Sequence, residues 1–381
     1  MFERLDERRE LLFDVRQGRS ILMLAPRRVG KTWLMKRFAE DLRGRGWLAV
    51  LCDVEGMSRE TDFLRHLCHR IEDQEGLAGK AEGRARQIVN QFFSTDNGDG
   101  WQQALVRTDW ASFAETLVRG LDARNQDTLI LVDELALFVR DLLERDARAA
   151  KEFLYGLRAL QQRYPKVRWL LTGSIGLDTI ARRGEIGGAL VNFTLFPVEP
   201  FGRDAARAFL DHLSAAGRVR RPFTLDDAAF TRLGDELGWL APYYLEEIAK
   251  VIRPSGPRGP DGRAPASVQD VDAAFDAMLA PERRTYFVTW EEHLAKNFPR
   301  EEAEALRLVL DICAHRPAGE RFDTLFARLG GPPWNLGRRD LRDLLTVLTT
   351  DGYLSRTEDG DRRFRFRSGL LRRYWLRYHA E

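Results

Sequence analysis

The 381-residue sequence is poor in cysteine, lysine and long apolar runs, and each shortage excludes a class of protein. Its three cysteines, Cys52, Cys68 and Cys313, lie too far apart for a disulfide framework or a metal-ligand spacing, which fits a reducing cytoplasm. No apolar run reaches the roughly 18 residues that a membrane-spanning helix needs, so no membrane partner is expected. The opening MFERLDERRELL is charged and amphipathic, unlike a secretory leader. A soluble, cytoplasmic protein is expected. Pervasive disorder is excluded as well, because 44% hydrophobic and 10% aromatic residues suffice to bury a sizeable core.

Lysine is the rarer cation: only seven of the 60 basic residues are Lys, leaving 53 Arg. The net charge of +2 conceals an uneven distribution, since the last twenty residues carry seven Arg against one Glu. The length predicts two or three domains rather than one core.

Residues 20 to 25, SILMLA, form a short, wholly apolar run, the pattern of a strand buried on both faces. APRRVGKT follows at 25 to 32, then an amphipathic helix closed by glycines. Further strands are predicted at 47 to 54, 128 to 134, 167 to 173 and 190 to 198, with helices at about 59 to 73, 110 to 124 and 147 to 163. The polar stretch containing STDNGDG reads as a loop or insertion. Apolar strands alternating with helices predict an α/β fold with a parallel five-stranded sheet. From 203 to 252 the pattern is helical, with starts near Asp204 and Thr224 and no convincing strand; RPSGPRGPDGRAPAS, 253 to 267, reads as a flexible loop. Helices are predicted to resume at 268 to 280, 282 to 296, 301 to 315, 322 to 329 and 338 to 351, followed by a hairpin around an acidic turn. Three helices and a hairpin predict a C-terminal winged helix.

APRRVGKT matches the P-loop pattern except at its first position, where Ala25 replaces Gly. In such a loop successive backbone N–H groups surround a β-phosphate, the Lys31 ammonium reaches the β and γ oxygens, and the Thr32 hydroxyl coordinates Mg²⁺. Gly30 permits close backbone approach. Ala25, Pro26, Arg27, Arg28, Val29, Gly30, Lys31, Thr32 and the adjoining Trp33 are therefore the candidate nucleotide contacts. Arg27 and Arg28 contact a phosphate, contact a partner, or point into water.

A second half of the site is expected at an acidic pair ending another buried strand, and LILVDE supplies it. Asp133 is the expected Mg²⁺ holder and Glu134 the group that orients and deprotonates the attacking water. In TGSIG, Thr172 or Ser174 would place a hydroxyl between the carboxylates and the γ-phosphate; the alternative is a turn with both hydroxyls satisfied locally.

Together with LDERREL before the first strand, GWLAPYYLEEI at 238 to 248 and FRFRSGLLRRYWL at the end, these motifs resemble the AAA+ superfamily, and within it the archaeal-type, STAND-related (MNS-like) ATPases. The resemblance covers nearly the whole chain. It implies an ATPase core over 1–200, a helical lid over 201–297 and a winged helix over 298–381, with ATP and Mg²⁺ as cofactors and a nucleotide-driven switch as the activity. It also implies Pro242 and Tyr243 packing near the adenine, and an arginine finger donated by a neighbouring copy, for which Arg182 and Arg183 are candidates. The lid motif has no arginine near Pro242, so a lid arginine on the γ-phosphate is not evident.

The tail suggests a second function. Phe364 and Phe366 alternate with Arg363, Arg365 and Arg367, predicting an apolar and a cationic face, while Arg338, Arg339 and Arg342 begin a helix suited to a major groove. Asp340 and Asp343 interrupt that helix, and winged helices also dock proteins, so DNA and a protein partner are both open. Leu370, Leu371, Tyr374 and Trp375 are expected to pack the last helix.

Overall fold

The computed structural model describes residues 3–76, 89, 92–93, 100–173, 186–357 and 362–380. They fall into two compact units, one formed by 4–25 with 31–198, the other by 1–3 and 26–30 with 199–381.

The first unit opens with helix α1 (Leu5–Arg16), tied to α2 (Lys31–Arg43) by a two-pronged Arg8–Asp41 pair at 2.7 and 2.5 Å. Its strands are β1 (Ile21–Leu24), β2 (Leu48–Asp53), β3 (Thr128–Asp133), β4 (Val167–Gly173) and β5 (Thr194–Pro197). They form one parallel sheet in the order β2-β3-β4-β1-β5. Helices α3 (Glu60–Gly76), α4 (Trp101–Arg107), α5 (Trp110–Ala123), α6 (Leu135–Arg145) and α7 (Ala147–Arg163) belong to the same unit. β3 is buried at every position, as a strand covered on both faces must be. The sequence pattern did not announce α4 or α6: α4 is only two turns long, and α6 starts directly after the acidic pair without the usual small polar cap. Cys52, Cys68 and Cys313 are fully buried. Burial pushes the Cys52 and Cys313 thiols up to about 12 and also raises that of Cys68, so all three are unreactive packing groups.

The second unit continues with α8 (Arg203–Ala215), α9 (Asp227–Leu237), α10 (Pro242–Ala249), α11 (Val268–Met278) and α12 (Thr285–Asn297). Asp226, rather than Thr224, caps α9, accepting from Ala229 N, because Thr224 lies in a strand. That strand, β6 (Phe223–Leu225), pairs in parallel with β7 (Ala264–Ala266), inside the segment read as a flexible loop. Three-residue strands carry too few positions to show a period of two, and the Pro and Gly content masked them further. The segment is held by its own bonds, Gly259 N to Arg263 O at 2.7 Å and Ser255 Oγ to Asp270 at 2.8 Å.

α13 (Arg300–Ala314), α14 (Phe322–Leu329) and α15 (Arg338–Thr350) precede an antiparallel pair, β8 (Leu354–Arg356) and β9 (Phe364–Phe366), and α16 (Gly369–Tyr378). This is the helix and hairpin order of a winged helix. Leu370, Leu371, Tyr374 and Trp375 pack α16 with almost no exposure, as their spacing predicts.

Candidate functional site

Strand order creates the site. β4 lies between β1 and β3, so the carboxyl ends of all three converge, and ligands of open parallel sheets bind at such ends. Asp133 closes β3, Thr172 lies near the end of β4, and Thr32 enters α2 just beyond β1. Asp133 is only 3% exposed, and a buried carboxylate is tolerated only when it is well hydrogen-bonded. Thr32 Oγ1 donates to its Oδ2 at 2.6 Å, while Thr172 Oγ1, at 2.9 Å, and Glu134 N, at 3.1 Å, donate to Oδ1. Residues far apart in sequence thus meet on one anionic group.

Glu134 follows at the start of α6 with φ 58°, a left-handed conformation that costs a non-glycine residue of order 1 kcal/mol and recurs at functional positions. It is half-buried, and its carbonyl accepts Leu137 N at 3.1 Å. Gly173 lets α6 come this close, because a β-carbon there would stand 2.4 Å from the Ala136 Cβ. The loop's ends are closed by Lys31, whose Nζ donates to the Ala25 carbonyl at 2.8 Å although the residue is only 7% exposed. Ala25 is not among the residues with positive φ; that conformation falls on Arg28 at 69° and Gly30 at 93°. Ala is therefore tolerated where the P-loop pattern has Gly.

The chemistry of the donor set suits Mg²⁺. A hydroxyl and a carboxylate already in contact are hard oxygen ligands, and Mg²⁺ commonly takes only one or two protein ligands beside phosphate and water. Among the described residues no group of three or more His, Cys, Asp or Glu forms an all-protein metal cage.

The parallel sheet, the loop entering α2 and the acidic strand end belong together. The chain has the fold of a P-loop NTPase. It is similar in structure to a Walker-type ATPase of Pyrococcus abyssi, with a TM-score of 0.65 and 16% identity over 99% of this chain and 96% of that one. It is also similar to the ORC2 protein of Aeropyrum pernix in its ADPNP and ADP complexes, with a TM-score of 0.51 and 14% identity over 95% of this chain and 88% of that one. No family model matches the sequence, and no curated protein does.

Within this P-loop NTPase fold the second unit carries two further features. Pro242 starts α10, and Tyr243 lies beneath the Arg28 guanidinium, whose carbon is 3.9 Å from the ring centroid. Burial pushes the Tyr243 phenol up, against the opposing pull of Arg28. Beside the C-terminal hairpin, a groove of about 830 Å³ is lined by Arg321, Arg338, Arg342, Arg356, Arg362 and Arg367, with Asp323 the acidic member.

The structure brings Thr32, Asp133, Glu134 and Thr172 together by hydrogen bonds, with Lys31 next to Thr32 at the start of α2. Ser174, Arg182 and Arg183 lie outside the described residues. Arg338 and Arg367 line the groove, whereas Arg339, Arg363 and Arg365 do not. The cationic face expected of the hairpin is incomplete: Arg365 is exposed, but Arg367 turns inward, 5.5 Å over the Trp239 ring with Nη2 on the Thr349 carbonyl at 3.3 Å. Burial lowers its guanidinium pKa. Sequence reasoning missed the Arg28–Tyr243 stack and the close approach at Gly173.

Proposed function

We propose that the protein binds ATP with Mg²⁺ and hydrolyses it slowly, acting as a nucleotide switch whose lid helices and winged helix answer to the nucleotide. The observation that carries this reading is the triple use of Asp133, which joins the P-loop threonine, the acidic strand end and the Thr172 hydroxyl. Thr32 and Asp133 would hold Mg²⁺, which supplies charge neutralisation at the phosphates when bound. Lys31 would bind the β- and γ-phosphates, with loop amides from Arg27 to Gly30 around them. Glu134 would orient the attacking water and take its proton; Thr172 would report on the γ-phosphate through Asp133. Trp33 is offered as a contact of the nucleotide. Purified protein is expected to release phosphate from ATP, to stop when EDTA removes Mg²⁺, and to lose nucleotide binding in Lys31→Ala. Phosphate release no greater than that of Lys31→Ala would sink the proposal.

A second reading, a nucleotide-regulated DNA-binding protein, is favoured by the arginine-lined groove, whose lining holds six arginines and one acidic residue. Binding to duplex DNA should weaken steeply with salt, and replacing Arg338 and Arg342 by Ala should lower the salt slope by about one for each phosphate that is no longer neutralised. Failure to bind DNA even at low salt would remove this reading and leave a protein partner for the groove.

A further inference from the structure

Arg28 holds a φ of 69°, in the region a β-carbon disfavours, two residues before Gly30, which adopts it freely. A non-glycine residue stays in such a conformation only where its surroundings hold it. Against the Arg28 side chain stands the Tyr243 ring, 3.9 Å from the guanidinium carbon, with the Tyr244 ring 5.7 Å away. Planar guanidinium over an aromatic face is a directional contact, strengthened where water is partly excluded. Tyr243 is itself anchored. Its ring stands edge-on to Tyr244 at 5.5 Å, and the fully buried Tyr244 accepts Trp290 Nε1 on its hydroxyl at 2.5 Å. Pro242, at the start of the same helix, lies 3.9 Å from the point where a β-carbon on Gly30 would stand. The eight residues of α10, PYYLEEIA, contain no cation, so the positive charge at this contact comes from the loop. Burial raises both phenols, which keeps the rings neutral and their faces attractive to a cation at ordinary pH.

We infer that Arg28 is a positioning residue of the phosphate loop. The face of Tyr243 fixes its guanidinium and thereby the loop conformation that receives the phosphates, so that α10 sets nucleotide affinity without touching them. The inference rests on the ATP reading above. Pre-forming the loop spares the nucleotide the cost of ordering it, so removing the stack should appear in affinity rather than in the chemical step.

The test is a double-variant cycle on the full chain, with a fluorescent ATP analogue for Kd and phosphate release for kcat. Arg28→Gln and Tyr243→Leu are each expected to raise Kd and KM about tenfold with kcat within about twofold, and the double variant to be no worse than either. Tyr243→Phe keeps the ring face and loses only the hydroxyl's bond to Arg28, so it should weaken binding clearly less than Tyr243→Leu, which a role resting on the hydroxyl alone would not allow. Additive effects in the double variant, a Tyr243→Phe protein as weak as Tyr243→Leu, or single variants that bind normally would each overturn the inference while leaving the ATP reading intact. An unaltered protein that binds no ATP would overturn both. Should Tyr243→Leu fail to fold, judged by its thermal transition, Arg28→Gln against Arg28→Lys decides: the lysine should restore affinity partly, and equal weakness of the two would count against the stack.

Discussion

Replacing Glu134 by Gln is expected to slow ATP turnover by about 10²–10⁴-fold, the usual contribution of a positioned general base, while ATP affinity changes little. Gln keeps the size and hydrogen-bonding reach of the side chain but cannot take a proton. The backbone features at this position, the left-handed φ of 58° and the amide bond to Asp133, do not depend on the carboxylate. Folding and nucleotide binding should therefore survive, and a purified Glu134→Gln protein should hold ATP without consuming it. Single-turnover hydrolysis and equilibrium ATP binding, measured on the same preparation, separate the two effects. Undiminished turnover would show that another group activates the water.

Asp133→Asn should have the second large effect, and for a different reason. The carboxylate accepts from three donors on two oxygens, so an amide in its place turns one oxygen into a donor facing either a hydroxyl or a backbone N–H. Turned toward Thr32 it meets a hydroxyl that can accept; turned toward the Glu134 N–H it is unmet, which in a residue 3% exposed costs about 1–3 kcal/mol of stability. The substitution also removes the anionic ligand for the metal. Turnover is expected to fall at least about 100-fold, in line with loss of metal-assisted charge stabilisation. Mg²⁺ should cease to tighten ATP binding. Titrating nucleotide with and without Mg²⁺, beside a thermal melt, checks both halves; a variant whose affinity still depends on Mg²⁺ as before would mean that the metal is held elsewhere.

Much of this site is legible without a structure because its chemistry is local. A buried strand, a loop of fixed spacing and a helix start occupy adjacent positions in APRRVGKT, and four aliphatic residues announce the strand that ends at Asp133. The same holds for the core of α7, where hydrophobic periodicity runs over several turns; the hairpin is legible from its acidic, glycine-containing turn, since its strands have only three residues each. Where the period is too short to register, the pattern is silent: β6 and β7 have three residues each, and α4 has seven. α6 escaped notice for want of a cap signal, since its first residue follows Glu134 directly.

Residue types and their spacing thus determined the loop, the acidic strand end and the alternation of strands and helices, because hydrogen-bonding groups and apolar faces repeat over distances that a few residues span. Tertiary structure alone decided that Thr172 bonds to Asp133, since that requires β4 to lie between β1 and β3. It alone decided that Arg28 meets Tyr243, and that Arg367 turns toward Trp239 instead of toward a ligand. Such contacts join parts of the chain whose approach depends on strand order and helix packing, and neither is written in the period of any one segment.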